Sequence, residues 1–421
     1  MSDSILPFVL RVGAAEIATS LINLLNRSIN QEKWPQLWKK GERVPVFKRD
    51  DPLLKENYRP ITVLPVADKV FKQIVVKQLV GMFDHLLEQT LTAYRKTHSF
   101  ETTLINLIEH WRLARDNKQI VGTLTTNMSK AFVSMHPALL LSKLRAYGFQ
   151  KSLIRLLGSY LCDRYNGVKL ASQKSSWPRV NRGCPQGSAL GPLLWNIFQN
   201  DLAYEIDQNL SMYADDHQLY EINENVTTVN HNLNANATKA SVWYKSNLLK
   251  RNLSKYHTML ITNKQVGNEF CVRVQGTDVE CLNSFKLLGV TIDNKLNFSE
   301  HINITCKKAS KRIGVLMRLK NLVPTAEKLQ LFKAAILPYL TYCHLTWHFC
   351  PASDKRKLER IQERGLRAVF SDGQSTYKKL LNKAKSYLIT LYERRLQDIA
   401  CLMYNVPQNH INSLKFFTFF F

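Results

Sequence analysis

The period of the hydrophobic pattern changes several times along the chain. Residues 15–30, AEIATSLINLLNRSIN, place apolar side chains at helical spacing, so the first forty residues predict helix. RVPVFKRDDP, at 43–52, predicts a short strand that ends in charge. Residues 57–79, NYRPITVLPVADKVFKQIVVKQL, predict an extended stretch braked by Pro60 and Pro65, then an amphipathic helix. Ser99 is suited to cap a helix over 99–115, with Glu101 in its first turn. IVGTLTTNMSKAFVSM, at 120–135, starts as a strand. Pro137 opens a helix that Gly148 ends, and a second helix runs to about Cys162.

Alternation at 166–182 predicts a hairpin. The Gly/Pro-rich GCPQGSALGPLLWNIFQNDLAYEI, at 183–206, predicts a loop running into a long helix. LSMYADDHQLYEI, at 210–222, predicts strand, two-carboxylate turn and strand. Residues 228–248 predict helix, while YHTMLITN and the stretches near 270–292 return to strand. From 301 to about 403 the pattern is nearly all helical, with breaks expected at Pro324, Pro338 and Pro351. Strands alternating with helices, followed by segregated helices, predict an α/β (α+β) fold with an appended helical region.

Composition narrows the class. Hydrophobic residues are 45% and charged residues 22% of the 421, which excludes a disordered chain, a collagen and a coiled-coil rod. Lys plus Arg number 58 against 33 acids, a net +25. Such a surplus calls for a polyanionic partner, nucleic acid or anionic membrane, or else covers a solvated helical surface. Residues 301–421 hold 21 Lys/Arg and 7 Asp/Glu, so 21 − 7 = +14 of the charge lies there. The opening residues carry Asp3, Pro7 and Arg11 and do not resemble an export signal. The longest uncharged run, Ala334–Ser353, is interrupted by Pro338, His344 and His348 and reads as buried helix and turn. Eight dispersed cysteines fit a reducing compartment, nuclear or cytoplasmic. Cys343, His344, His348 and Cys350 could hold zinc in principle, but Cys343 and His344 diverge on a helix, and core packing is the stronger reading.

Tyr213-Ala214-Asp215-Asp216 is the sharpest chemical signal. Adjacent carboxylates at a hairpin tip repel, which a fold tolerates best beside cations such as Mg²⁺. Taken alone, the tetrapeptide also suits an ordinary Asp-Asp turn. Its context is more telling. NYRPI at 57–61, YRKTHSFETTL at 94–104, SKAF at 129–132, GCPQGSALGPLLWNIFQNDL at 183–202, WYKSNLLKRNLSKYHTML at 243–260 and FKLLGVTID at 285–293 surround it in order. This series, from about residue 20 to 404, resembles the reverse transcriptases of non-long-terminal-repeat, jockey-like retrotransposons. Telomerase-like and intron-maturase enzymes share the palm but lack the C-terminal run at 301–350.

The resemblance implies a right-hand polymerase. Fingers would extend to 119 after N-terminal helices, an α/β palm would occupy 120–295, and a basic helical thumb 296–405. The polymerase domain proper would cover about 40–293, leaving a Phe-rich tail at 406–421. It implies RNA-directed DNA synthesis from dNTPs on an RNA template and DNA primer, with RNA–DNA hybrid bound and Mg²⁺ or Mn²⁺ as cofactor. Membrane association and an obligate protein partner are not expected.

By the same resemblance Asp215 binds metal beside Asp216, and Gln186 lines the nucleotide pocket. Lys48 and Arg59 hold the triphosphate, and Phe132 gates the sugar. Lys255 faces pyrophosphate, and Leu288 and Gly289 form the primer grip. One departure stands out. Where the family pattern reads Asp-x-Ser-Lys-Ala-Phe-Asp, this chain has Asn127 at the first position and Val133 at the last. Asp215, Asp216 and Asn127 are expected at one end of a sheet, with Asp116 too far upstream to substitute. The resemblance implies a two-metal mechanism, and with Asn127 in place of its first aspartate a catalytically impaired copy is the expectation. Nothing resembling an endonuclease domain precedes residue 20, which fits a truncated copy, and a catalytically dead nucleic-acid-binding remnant is the alternative.

Overall fold

In a computed structural model of the chain, the described residues are 7–48, 50–128, 131–206, 209–264, 270–319, 322–384 and 388–405. The Phe-rich tail and the Ser129-Lys130 pair lie outside them.

Strands β1 (Lys40–Phe47) and β2 (Tyr58–Val63) pair antiparallel. β3 (Ile120–Asn127) belongs to a second sheet. β4 (Arg164–Leu170) returns to the first sheet, lying parallel to β1 and bonding to the two-residue strands β5 (Gln173–Lys174) and β6 (Arg179–Val180). The hairpin expected at 166–182 is therefore present, but the longer ladder of β4 is with β1. The second sheet is completed by β7 (Leu210–Tyr213), β8 (Asp216–Asn223) and β9 (His257–Ile261), in the order β7–β8–β3–β9 and antiparallel throughout. Two small hairpins follow: β10 (Arg273–Val274) with β11 (Thr277–Asp278), and β12 (Ser284–Leu287) with β13 (Val290–Asp293).

The second sheet separates two hydrophobic cores, and the strand period of two assigns its residues between them. Leu124 of β3 and Leu219 of β8 face the first core, with Phe71, Tyr160, Trp195 and Phe198 from helices Val66–Phe83, Lys151–Leu161 and Leu190–Gln199. Val121 and Tyr220, on the opposite face, join the second core with Trp111 of helix Phe100–Asp116 and Phe298, Phe332 and Trp347 further on. Ser99 caps helix Phe100–Asp116 as expected, and Thr102 completes a reciprocal capping box.

Helices Ser299–Arg318, Thr325–Ala335 and Ala352–Phe370 fill the C-terminal region, the last two starting after Pro324 and Pro351. Pro338 sits in the first turn of the short helix Leu337–Thr341. The helical run is more broken than its pattern suggests. Residues 342–350 are turns, and Ser371 ends its helix in the left-handed region (φ 52°) ahead of Asp372 and Gly373. Cys343 and Cys350 pack into the second core, and His344 Nε2 lies 2.9 Å from Asp398 Oδ2. Among the described residues no helix is long and apolar enough to cross a membrane.

Candidate active site

A two-residue turn joins β7 to β8, with Tyr213 and Asp216 paired across it. Ala214 takes the left-handed conformation such turns demand (φ 56°). Its carbonyl accepts the indole N–H of Trp195 at 2.9 Å, so the helix of the first core pins the turn. Asp215 occupies the turn, and Asp216 opens β8 directly opposite residue 127, the last of β3. Positions 127, 215 and 216 thus meet at one end of the second sheet. Asp116 ends the helix that precedes β3. Eight strand residues, roughly 25 Å at ~3.3 Å each, separate it from that end.

The Gly/Pro-rich loop brings in the rest. Gly183 (φ 76°) runs so close to the 132–135 segment that a Cβ there would lie 2.5 Å from Val133 Cα. Its N–H donates to Met135 O at 2.8 Å, and that of Cys184 to Phe132 O at 3.0 Å. Further on, Gln186 O accepts from Thr62 N of β2 at 2.9 Å. One loop therefore ties β2 to the segment after β3. The outcome is a cavity of about 670 Å³ lined by Arg59, Phe132, Gln186 and Asp215, together with Lys69, Gln73 and Tyr94. The carboxamide oxygen of Gln186 is buried there with no hydrogen-bond partner among the described residues. Phe132 is wedged between Trp195 and Tyr94, with ring centroids 5.6 and 6.1 Å away.

Burial raises the Asp215 carboxyl above its ordinary range, and its own backbone and the charges of Lys255, Lys48 and Arg59 oppose that rise. Three cations from separate segments thus act on one carboxylate. Lys48 follows β1, Arg59 lies in β2, and Lys255 ends the single turn Leu253–Lys255 before β9. Burial also raises Tyr94, helped by the charge of Asp215. His217 is buried outright, and burial holds its imidazole down to about 3 despite the facing Ala214 carbonyl.

Leu288 and Gly289 are not part of this cavity. They form the turn between β12 and β13, with φ 46° and 91°. Tyr342 donates its hydroxyl to Leu288 O at 2.7 Å, and a Cβ on Gly289 would meet the Tyr342 ring at 2.9 Å. Gly289 and Tyr342 line a second cavity of about 360 Å³ with Lys286 and Lys308.

Sequence reasoning assigned no role to Tyr94, Trp195, Lys69 or Gln73. Lys69 and Gln73 are four apart on one helix, so they share a face, and Tyr94 opens a motif already singled out. Trp195 carries no local signal, since its partner is a backbone carbonyl 19 residues away.

The chain matches the family described as reverse transcriptase (RNA-dependent DNA polymerase) over residues 39–292, more than half its length. The chain belongs to the reverse transcriptase family. Its architecture is the mixed helix and sheet described above. Among relatives, the "Probable RNA-directed DNA polymerase from transposon BS" of Drosophila melanogaster is 26% identical over 82% of this chain and 40% of its own length. The RNA-directed DNA polymerase from mobile element jockey of the same species is 24% identical over 93% of this chain and 44% of its own. The chain thus spans less than half the length of these curated relatives. Among solved structures, apo telomerase from Candida tropicalis aligns with a TM-score of 0.45 at 13% identity, covering 91% of this chain and 68% of the telomerase.

Reverse transcriptases use divalent metal ions. Among the described residues no three His, Cys, Asp or Glu side chains converge as a metal site. The donors at the turn are Asp215 and Asp216. Two carboxylates suit one hard cation that completes its shell with phosphate oxygens and water. They fall short of a pair of cations that share a further bridging carboxylate.

Proposed function

We propose that this reverse-transcriptase chain is the polymerase of a non-long-terminal-repeat, jockey-like retrotransposon, with its nucleotide site assembled and its metal-binding charge deficient. The observation that carries this reading is the shared cavity of Arg59, Phe132, Gln186 and Asp215, set beside an Asn where the strand register meets Asp216. Residues up to 119 serve as N-terminal helices and fingers, 120–295 as palm and 296–405 as thumb.

In this reading the triphosphate of a dNTP lies against Arg59 and Lys48. A guanidinium fork and a point charge suit its oxygens. Phe132, held by Trp195 and Tyr94, forms the wall under the sugar and excludes a 2′-hydroxyl. Gln186 offers its unpartnered carboxamide oxygen to the nucleotide. Lys255 stands ready to donate a proton to the leaving pyrophosphate. Asp215 and Asp216 would hold Mg²⁺ or Mn²⁺, which when bound neutralises phosphate charge. Asn127 brings no charge to that end of the sheet. RNA template and DNA primer lie along the basic C-terminal helices, with Leu288 and Gly289 at the primer.

The test is incorporation on a poly-rA/oligo-dT substrate. The wild-type chain is expected to be inactive or nearly so, and Asn127→Asp to raise the rate by about 10²–10³-fold, the usual effect of one preorganised electrostatic group. Val133→Asp should add less, and Asn127→Asp/Asp215→Ala should return to background. Strong wild-type activity would refute the deficiency. A folded Asn127→Asp chain that binds hybrid yet incorporates nothing would show that another lesion decides.

A catalytically dead binder is the second reading. It is favoured by exposed basic faces on two packed helices, with Lys307, Lys308, Lys311 and Arg312 on one and Arg356, Arg360 and Arg364 on the other. It predicts salt-sensitive hybrid binding with no rescue by Asn127→Asp.

A further inference from the structure

The supports behind the acidic turn are polar. His217, next after Asp216, is fully buried. Its Nδ1 lies 3.0 Å from Tyr244 Oη and its Nε2 3.0 Å from Gln199 Oε1. Tyr244 Oη in turn lies 3.0 Å from Thr126 Oγ1, one residue before the end of β3. Beyond Gln199, its Nε2 donates to Asn196 Oδ1 at 3.4 Å, and Asn196 Nδ2 donates to Ala93 O at 2.7 Å. Thr126, Asn196, Gln199, His217 and Tyr244 are all buried.

One end of this chain fixes the direction of every bond in it. A backbone carbonyl only accepts, so Asn196 turns its nitrogen to Ala93 and its oxygen to Gln199. Gln199 must then turn its nitrogen to Asn196 and its oxygen to His217. His217 Nε2 therefore carries the proton. A buried ring among uncharged partners is neutral, so Nδ1 accepts and the Tyr244 hydroxyl donates to it. The Tyr244 oxygen is left to accept from the Thr126 hydroxyl. The Ala214 carbonyl also faces the imidazole and, having two lone pairs, can accept from it as well as from the Trp195 N–H.

We propose that His217 is a positioning residue. As its Nε2–H tautomer it completes a one-way hydrogen-bond chain from Thr126 through Tyr244, Gln199 and Asn196 to Ala93. This chain clamps the acidic turn between the end of β3 and the loop that leads into Tyr94. It joins residues on both sides of the nucleotide cavity, since Tyr94 and Asp215 both line it. Cutting it at Tyr244 strands two buried groups at once, the Thr126 hydroxyl and His217 Nδ1. Stranded buried groups cost more than the bond itself. The functional consequence, though not the clamp, rests on the polymerase reading above.

Three readouts on the full chain test this. The first is the tautomer of His217, from ¹⁵N spectra of histidine-labelled protein, assigned by the signal lost in His217→Gln. The second is amide exchange of the 210–223 hairpin by mass spectrometry. The third is the affinity of a hybrid with a chain-terminated primer, with and without the complementary dNTP. The expected tautomer is Nε2–H, with the Nδ1 resonance moving in Tyr244→Phe. Tyr244→Phe should speed hairpin exchange about tenfold and weaken the dNTP-dependent complex about tenfold, as one stranded buried pair implies. Binding of hybrid alone should stay within about twofold, since its contacts lie elsewhere. His217→Gln, which keeps a donor toward Gln199, should lose less than His217→Phe.

An Nδ1–H tautomer overturns the proposal. So do Tyr244→Phe and His217→Phe proteins that bind hybrid and exchange the hairpin at wild-type rates. If the variants do not fold, the wild-type tautomer decides. If wild type shows no preference for the complementary dNTP, the polymerase reading fails, and the exchange rates alone judge the clamp.

Discussion

Lys72 and Arg395 are both fully buried cations, and they are held in opposite ways. Lys72 lies on the helix whose Lys69 and Gln73 line the Asp215 cavity, one helical turn from buried Asp68, with which it forms an ion pair. Asp68 also accepts the indole N–H of Trp34 at 2.9 Å, and the ammonium stands over the Tyr160 ring at 5.1 Å. Burial still pushes the Lys72 amine down to about 8 against the pull of Asp68. Arg395 lies in the C-terminal region. Among the described residues all three of its guanidinium nitrogens lack hydrogen-bond partners, and its charge leans on the Trp347 ring at 5.7 Å. The contrast shows two ways of using charge. On the helix that lines the cavity, charge is placed by specific partners at fixed spacing. In the C-terminal region most of it is spread over exposed helix faces, where position matters less than number.

Substitutions at these two cations should separate the regions most sharply. Lys72→Met strands buried Asp68 and is expected to destabilise the fold by about 3–5 kcal/mol. Arg395→Met removes a charge on which Glu359 acts without a hydrogen bond among the described residues, and is expected to stabilise by about 1 kcal/mol. Urea unfolding midpoints check both. Equal losses at the two sites would mean that the partners around Lys72 count for nothing.

Backbone constraint gives the next largest effect. Gly183→Ala puts a methyl group against Val133 Cα at a positive φ and should cost about 3 kcal/mol or more, with loss of dNTP-dependent binding. Gly148→Ala, equally left-handed but with open space around it, should cost only about 1–2 kcal/mol. If thermal melts find both alike, the close approach of the loop at 183 to Val133 is not what requires the glycine.

The smallest expected change in stability lies on the basic helices. Replacing exposed Lys307, Lys311 and Arg318 together by Gln should leave the unfolding free energy within about 0.5 kcal/mol. The slope of log affinity for hybrid against log salt should flatten by about 0.9 for each phosphate that is no longer neutralised. A filter-binding titration across salt concentrations measures this. An unchanged slope would place the nucleic acid elsewhere.

Much of the cavity could be read from the chain alone. Asp215, Gln186, Arg59 and Phe132 each sit in a short segment whose glycines, prolines or alternation already specify its local shape, and the structure brings the four together. Lys48 and Lys255 were legible as cations, and their field at Asp215 is visible only in the fold. The breaks at 342–350 and 371–376 were missed because helical composition continues through them, although Ser371-Asp372-Gly373 is a turn signal in retrospect. The His217 chain was illegible. Thr126, Tyr244, Gln199 and Asn196 are ordinary residues in their own elements, and nothing local says that they meet.

By itself the sequence determined the order of strands and helices, the acidic turn, the glycine-bearing loop and the uneven positive charge. These depend on periodicity and on backbone preferences that act within a few residues. It also determined that residue 127 is Asn, a chemical fact that no packing can alter. Only the tertiary structure decided that residue 127 faces Asp216, that three cations act on Asp215, and that Leu288 and Gly289 serve a different cavity. It also decided which buried polar groups find partners. The physical reason is range. Turn and helix preferences act between neighbours, whereas a cavity or a hydrogen-bond chain exists only once segments a hundred or more residues apart, such as Ala93 and Asn196, have been packed against the same sheet.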